Sequence, residues 1–180
     1  MAQNATVYKA HIQIADMDRH YYADHSLTLA QHPSETEERM MLRLLAFLLF
    51  ASERLEFTKG LAADDEPDLW RKSYSDEIEL WIDVGLPSDK RIRKACNRSE
   101  QVVILCYGSD QAVTPWLNTI HAEQTRQRNL QITRIPDEQC QALVGLIARG
   151  MHLQANIQDG QLWISSDSLA VMVDPETLAV

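Results

Sequence analysis

No two of the three cysteines, Cys96, Cys106 and Cys140, stand close enough to form a CxxC pair. That spacing excludes the usual thiolate zinc and redox motifs and predicts reduced thiols in a cytoplasmic protein. Cys106, inside the apolar run VVILCYG, reads as a small core residue. The opening stretch MAQNATVYKAH lacks the basic-then-apolar pattern of a signal peptide. The longest apolar segment, MMLRLLAFLLFA, is too short to cross a bilayer and contains Arg43, so no membrane association is expected. Walker-type and GxGxxG glycine loops, the GxSxG elbow and HExxH are all missing, which removes the commonest nucleotide, hydrolase and zinc-protease readings. His121-Ala122-Glu123 matches a zinc-deaminase fragment, but no PCxxC follows it. Basic residues are also scarce. There are 17 against 26 acidic ones, a net charge of −9, which opposes general attraction to polyanions while leaving room for a local basic patch.

What remains is the composition of one globular domain spanning residues 1–180. Tyr8, Ala10, Ile12 and Ile14 alternate with polar residues, and with HSLTLAQ they predict an N-terminal β-hairpin. Ser34 followed by Glu37 is a capping-box pattern opening a long helix over residues 36–55. This helix is apolar enough to be packed on more than one side. Ile78, Leu80, Ile82 and Val84 form the alternating face of a strand, and residues 88–96 a short helix capped by Ser88. VVILCYG reads as a strand covered on both faces. A helix through residues 115–126, a strand at LQITRI and a helix over 137–150 follow. LQANIQDGQLWIS closes the series as a hairpin with an Asp159-Gly160 type I′ turn. The order predicts an α/β fold with one mixed sheet flanked by helices and a β-hairpin added at each end.

The acids between Pro67 and Gly85 are the candidate chemistry. Magnesium takes oxygen ligands, usually one or two carboxylates with water and substrate phosphate. Asp83 stands near the end of an apolar strand, and Glu77, Glu79, Trp81 and Asp83 share one face by period two. Asp68 lies in the preceding loop, within reach of that face. Glu38, on the stripe of Leu42 and Leu45, is a further acid. The plainer alternatives are a solvated acidic loop, and Glu38 paired with Arg39 or Arg43 on its own helix. Lys90, Arg91, Arg93, Lys94 and Arg98 form the most basic segment. Either they meet a phosphodiester backbone or they neutralise the acidic loop and the helix dipole.

The stretches HPSETEERMMLRLLAFL, LAADDEPDLW, IELWIDVGLPSDKRIRKAC and LQANIQDGQLWIS resemble the YaeQ family of bacterial proteins over nearly the whole chain. The resemblance implies a variant of the PD-(D/E)xK restriction-endonuclease-like core, ordered helix, three strands, helix, strand. It implies no established activity. Carried over by position, Pro67-Asp68 matches PD, and Asp83-Val84-Gly85 matches (D/E)xK with glycine where lysine would stand. The resemblance then casts Glu38, Asp68 and Asp83 as ligands of a magnesium ion and Lys90 as the substitute lysine. Lys90, Arg91, Arg93 and Lys94 would contact nucleic acid. Two functions follow: a magnesium-dependent phosphodiester hydrolase, or an inactive nuclease fold that binds nucleic acid or protein.

Overall fold

The computed structural model describes residues 4–59, 64–120 and 129–178. Along the chain run β1 (Thr6–Asp16), β2 (Tyr21–Gln31), α1 (Glu37–Leu49), β3 (Leu55–Phe57), β4 (Leu69–Lys72) and β5 (Ile78–Val84). Then come α2 (Asp89–Arg98), β6 (Ser99–Tyr107), α3 (Asp110–Thr119), β7 (Leu130–Ile135) and α4 (Asp137–Val144). The chain closes with β8 (Gly150–Gln158), β9 (Gln161–Ser165), β10 (Ala170–Val173) and β11 (Glu176–Leu178).

The strands form two mixed sheets where the sequence predicted one. The first is ordered β10-β9-β8-β1-β2 and the second β11-β7-β6-β5-β4-β3. The reason is a pairing that local pattern does not encode: β8 docks parallel to β1, Lys9 opposite Gly150. The two expected hairpins therefore share one sheet. Helix α1 lies between the two sheets, buried continuously from Met40 to Leu48. Its core neighbours include Ile12 and Leu153 of the first sheet and Leu80, Ile82 and Val103 of the second. An all-round apolar helix is stable only in such a setting. The other face of the second sheet, with Trp81, Val102 and Ile104, is covered by Ile92 and Ala95 of α2 and Trp116 of α3.

Boundaries shift where caps decide them. Thr36, not Ser34, caps α1: it is extended (φ −71°, ψ 154°) and its hydroxyl accepts the Arg39 N–H at 3.1 Å. Ser34 instead bonds His32. The helix stops at Leu49, short of residue 55. Helix α4 ends at Val144 and is preceded by Pro136 rather than capped by Asp137, and Gly150 opens β8. The Asp159-Gly160 turn has positive φ at both residues (52° and 76°), as a type I′ turn requires. Asp18 accepts both of its N–H groups, each at 2.8 Å. The predicted 115–126 helix opens earlier, at Asp110, with Pro115 inside it, and stops at Thr119, where Ile120 turns extended; residues 121–128, with His121 and Glu123, lie outside the described residues, as do residues 60–63 of the acidic loop.

Candidate functional site

Strand β5 is buried on both faces, so its acids do not form the continuous ladder that period two suggested. Glu77 precedes the strand. Glu79 is held by Arg71 (2.9 Å) and Arg54 (3.2 Å). Asp83 stands at the opposite end, 2% exposed, on the Trp81 face beneath α2.

Asp68 and Asp83 do converge. Together with Arg39, Asp64, Arg91 and Tyr107 they line a cavity of about 370 Å³ floored by Val84 and Gly85. Each carboxylate is already occupied. Both oxygens of Asp68 accept from Arg39 Nη2, at 2.8 and 2.9 Å, and Oδ2 also accepts the Val84 N–H at 2.8 Å. Asp83 accepts from Arg91 Nε at 2.8 Å and from Nη2 at 3.0 Å, a two-pronged pair. Burial, the largest influence, pushes the Asp68 carboxyl above the ordinary carboxylate range, with Arg39 and the Val84 N–H opposing and Asp83 adding to the rise.

Arg39 is itself anchored. It donates to Glu35 at 2.6 Å and to the Val84 carbonyl at 3.2 Å. Glu35, buried, also accepts from Arg43 at 2.6 and 2.9 Å. The chain Arg43–Glu35–Arg39–Asp68 thus links the entry of α1 to the loop before β4. Arg91 fixes the other side by donating to the carbonyls of Asp64 and Glu66, each at 2.8 Å. Lys94 pairs with Asp65, and Arg98 donates to the Asp65 carbonyl at 2.9 Å. Of the two readings of the basic segment, these contacts are those of a helix neutralising the acidic loop.

The remaining candidates lie elsewhere. Glu38 is half-buried but is not among the described residues lining the cavity. Its carboxyl is pushed up by burial and by Asp137 on α4. Neither Arg39 nor Arg43 pairs with it, because both turn to Glu35. Lys90 is exposed and lines a neighbouring cavity with Trp81, Ser88 and Lys94, without Asp68 or Asp83. Arg93 pairs with Asp89 at 3.3 Å. Gly85, at the lysine position, has φ +116°, a conformation closed to ordinary side chains, although a Cβ there would meet nothing within 4 Å.

A magnesium ion fits this donor set poorly. Among the described residues no three of His, Cys, Asp and Glu converge as ligands. A dication would sit beside two guanidiniums that already satisfy both acids. Sequence reasoning missed Glu35 and Arg39 as parts of the site, and it cast Arg91 as a nucleic-acid contact where the structure pairs it with Asp83. The signal was the demand of a buried aspartate for a cation on an adjoining element.

Comparison with known proteins places these features in context. The family model described as YaeQ protein matches residues 1–175. The Uncharacterized protein YaeQ of Escherichia coli (strain K12) is 48% identical over 167 residues, 93% of this chain and 92% of that one. Its Salmonella typhi counterpart is 46% identical over 165 residues, 92% and 91% of the two chains. The crystal structure of the YaeQ protein from Xanthomonas axonopodis pv. citri has a TM-score of 0.92 and 51% identity, covering 96% of this chain and 97% of that one. The YaeQ structure from Pseudomonas syringae gives 0.93 at 34% identity, with 99% and 98% covered. No helix of the described residues is long and apolar enough to cross a membrane.

Proposed function

The chain belongs to the YaeQ family, and on that premise we propose that it is a nuclease-like fold that acts by binding, its hydrolytic half-site held shut by arginine. Element order supports the nuclease-like core. The buried helix α1 is followed by the antiparallel run β3, β4, β5, then by α2, then by β6 parallel to β5. That is the helix, three-strand, helix, strand order of the PD-(D/E)xK superfamily to which the sequence pointed.

The observation that carries the functional reading is that Asp68 and Asp83 are each matched by one anchored guanidinium. A hydrolase of this kind needs carboxylate oxygens free for metal and a lysine beside the attacking water. Here the oxygens are bonded, the lysine position is a glycine at φ +116°, and Lys90 lines another cavity. Of the α2 cations, Arg91, Lys94 and Arg98 are spent on the 64–66 segment and Arg93 on Asp89, and a net charge of −9 repels a phosphate backbone at long range. A protein partner suits this surface better than a nucleic acid.

Calorimetric titration with Mg²⁺ and Mn²⁺, paired with incubation on single- and double-stranded DNA and RNA, tests the reading. We expect no saturable metal binding at millimolar concentration and no cleavage. Metal-dependent cleavage by the wild type that Asp83→Asn abolishes would overturn it and restore Asp68 and Asp83 as metal ligands.

A further inference from the structure

The two sheets have four edge strands, and three of them are blunt: β10 has 4 residues, β3 and β11 have 3 each. The fourth, β2, has 11. Proteins usually protect a long edge with lysine, proline or a bulge. Strand β2, YYADHSLTLAQ, has none of these. Its register with β1 runs from Tyr21 to Gln31 without a shift.

The outward backbone groups can be identified. Lys9 donates its N–H to the Arg149 carbonyl, on the side of β8, so its β2 partner Thr28 is not hydrogen-bonded across to it. By alternation Tyr22, Asp24, Ser26, Thr28 and Ala30 present both N–H and C=O away from β1. Arg43 takes up the Ala30 carbonyl at 3.0 Å, which agrees with this assignment and marks the end of the free edge. The inner row of β2 is also incompletely covered. Ala23, His25 and Leu27 are half-buried, whereas Ala10, Ile12 and Ile14 of β1 are buried.

We propose that a second copy of this chain pairs with β2 antiparallel, about a two-fold axis at Ser26, to make one continuous ten-stranded sheet. The inference concerns the other sheet and does not rest on the closed carboxylate site. Self-pairing suits the strand because Asp24 is its sole full charge. The axis at Ser26 sets Asp24 opposite Thr28 and the exposed Tyr22 opposite the small Ala30, so no like charges meet. Leu27 falls opposite His25, and each shields the other's half-exposed side. Ser26 with its copy and Asp24 with Thr28 each exchange two backbone hydrogen bonds, as in any antiparallel ladder, whereas at Ala30, whose carbonyl Arg43 already holds, the N–H alone is free to meet Tyr22.

Sedimentation equilibrium of the full chain over a hundredfold concentration range tests the proposal. The wild type should reach twice the monomer mass, and Ser26→Pro should stay monomeric while melting as cooperatively as the wild type does at concentrations too low for it to dimerise. Proline at Ser26 removes an outward N–H and leaves the β1 ladder intact. Under mild oxidation Ser26→Cys should cross-link across the axis, where paired Cα atoms lie about 5.5 Å apart. Asp24→Cys should not, because its opposite residue is Thr28. A wild type that remains monomeric throughout overturns the proposal. So does a Ser26→Pro protein that still dimerises, or a cross-link at Asp24→Cys in preference to Ser26→Cys.

Discussion

Arg39→Met removes the guanidinium and keeps the aliphatic stem, which isolates the electrostatic part of the closed site. Asp68 is 5% exposed and would keep only the Val84 N–H, with the Asp83 carboxylate nearby to repel it. Removing one partner of a buried pair costs about 3–5 kcal/mol. The Arg39 side chain is 16% exposed, so water already screens part of the pair and a loss of about 2–4 kcal/mol is expected. For a chain of this size that is a fall in Tm of roughly 4–16 °C. Urea unfolding followed by circular dichroism should show a lower midpoint at unchanged slope. Adding Asp68→Asn removes the stranded charge and keeps an acceptor for the Val84 N–H. The double variant should therefore be more stable than Arg39→Met alone, with a coupling above about 1 kcal/mol. Metal gives a second readout. In Arg39→Met/Arg91→Met the two carboxylates lose both counter-charges, and Mn²⁺ at ten times its Kd would stabilise by about 1.4 kcal/mol. The wild type should not respond. A cost below about 1 kcal/mol for Arg39→Met, strictly additive variants, or Mn²⁺ stabilisation of the wild type would refute the reasoning.

Three further outcomes follow from other parts of the fold. Gly85→Lys should not restore a nuclease site: with φ at +116° and open space for a Cβ, both Gly85→Ala and Gly85→Lys should destabilise similarly, by about 1–3 kcal/mol in denaturant midpoints. Glu38→Gln should be more stable than wild type at pH 7, by less than about 1 kcal/mol. Burial and Asp137 raise the folded-state pKa of Glu38, so its ionisation costs stability as pH rises through that value. The advantage should vanish below about pH 4, where the side chain is protonated in both states. Finally, burial pushes the thiols of Cys96 and Cys106 up to about 11 and that of Cys140 up to about 12. A thiol reagent at pH 8 should label none of them rapidly until denaturant is added.

Much of this architecture was legible locally. The apolar circumference of α1 predicted contact on several sides, and the Asp-Gly pair predicted its turn. The second sheet was not legible, because β1 and β8 read identically whether they meet each other or a different neighbour. The candidate site failed by single positions. Sequence pattern placed Glu38 and Lys90 with the acids and gave Arg91 to nucleic acid, whereas Arg39 and Arg91 line the cavity. Adjacent helical residues point about 100° apart, so a one-residue offset moves a side chain to another face. Asp68 and Asp83 do share one cavity, because strand ends and loop entries tolerate such offsets better. Their partners depend on which helix face meets the sheet, a tertiary fact.

The parallel register of Lys9 with Gly150 also bears on how the chain comes into being on the ribosome. The strand that extends the first sheet beyond β1 is made 141 residues after the one it joins, and at about 5–20 residues per second that is a wait of roughly 7–28 s. Throughout it, the first sheet consists of β1 and β2 alone, and the side of α1 that β8 will cover has no wall to lie against, although β3 to β7 can already pack on the other side. Nascent chains of this protein should therefore be clients of holding chaperones until late in synthesis, and a chain truncated before β8 should aggregate instead of folding.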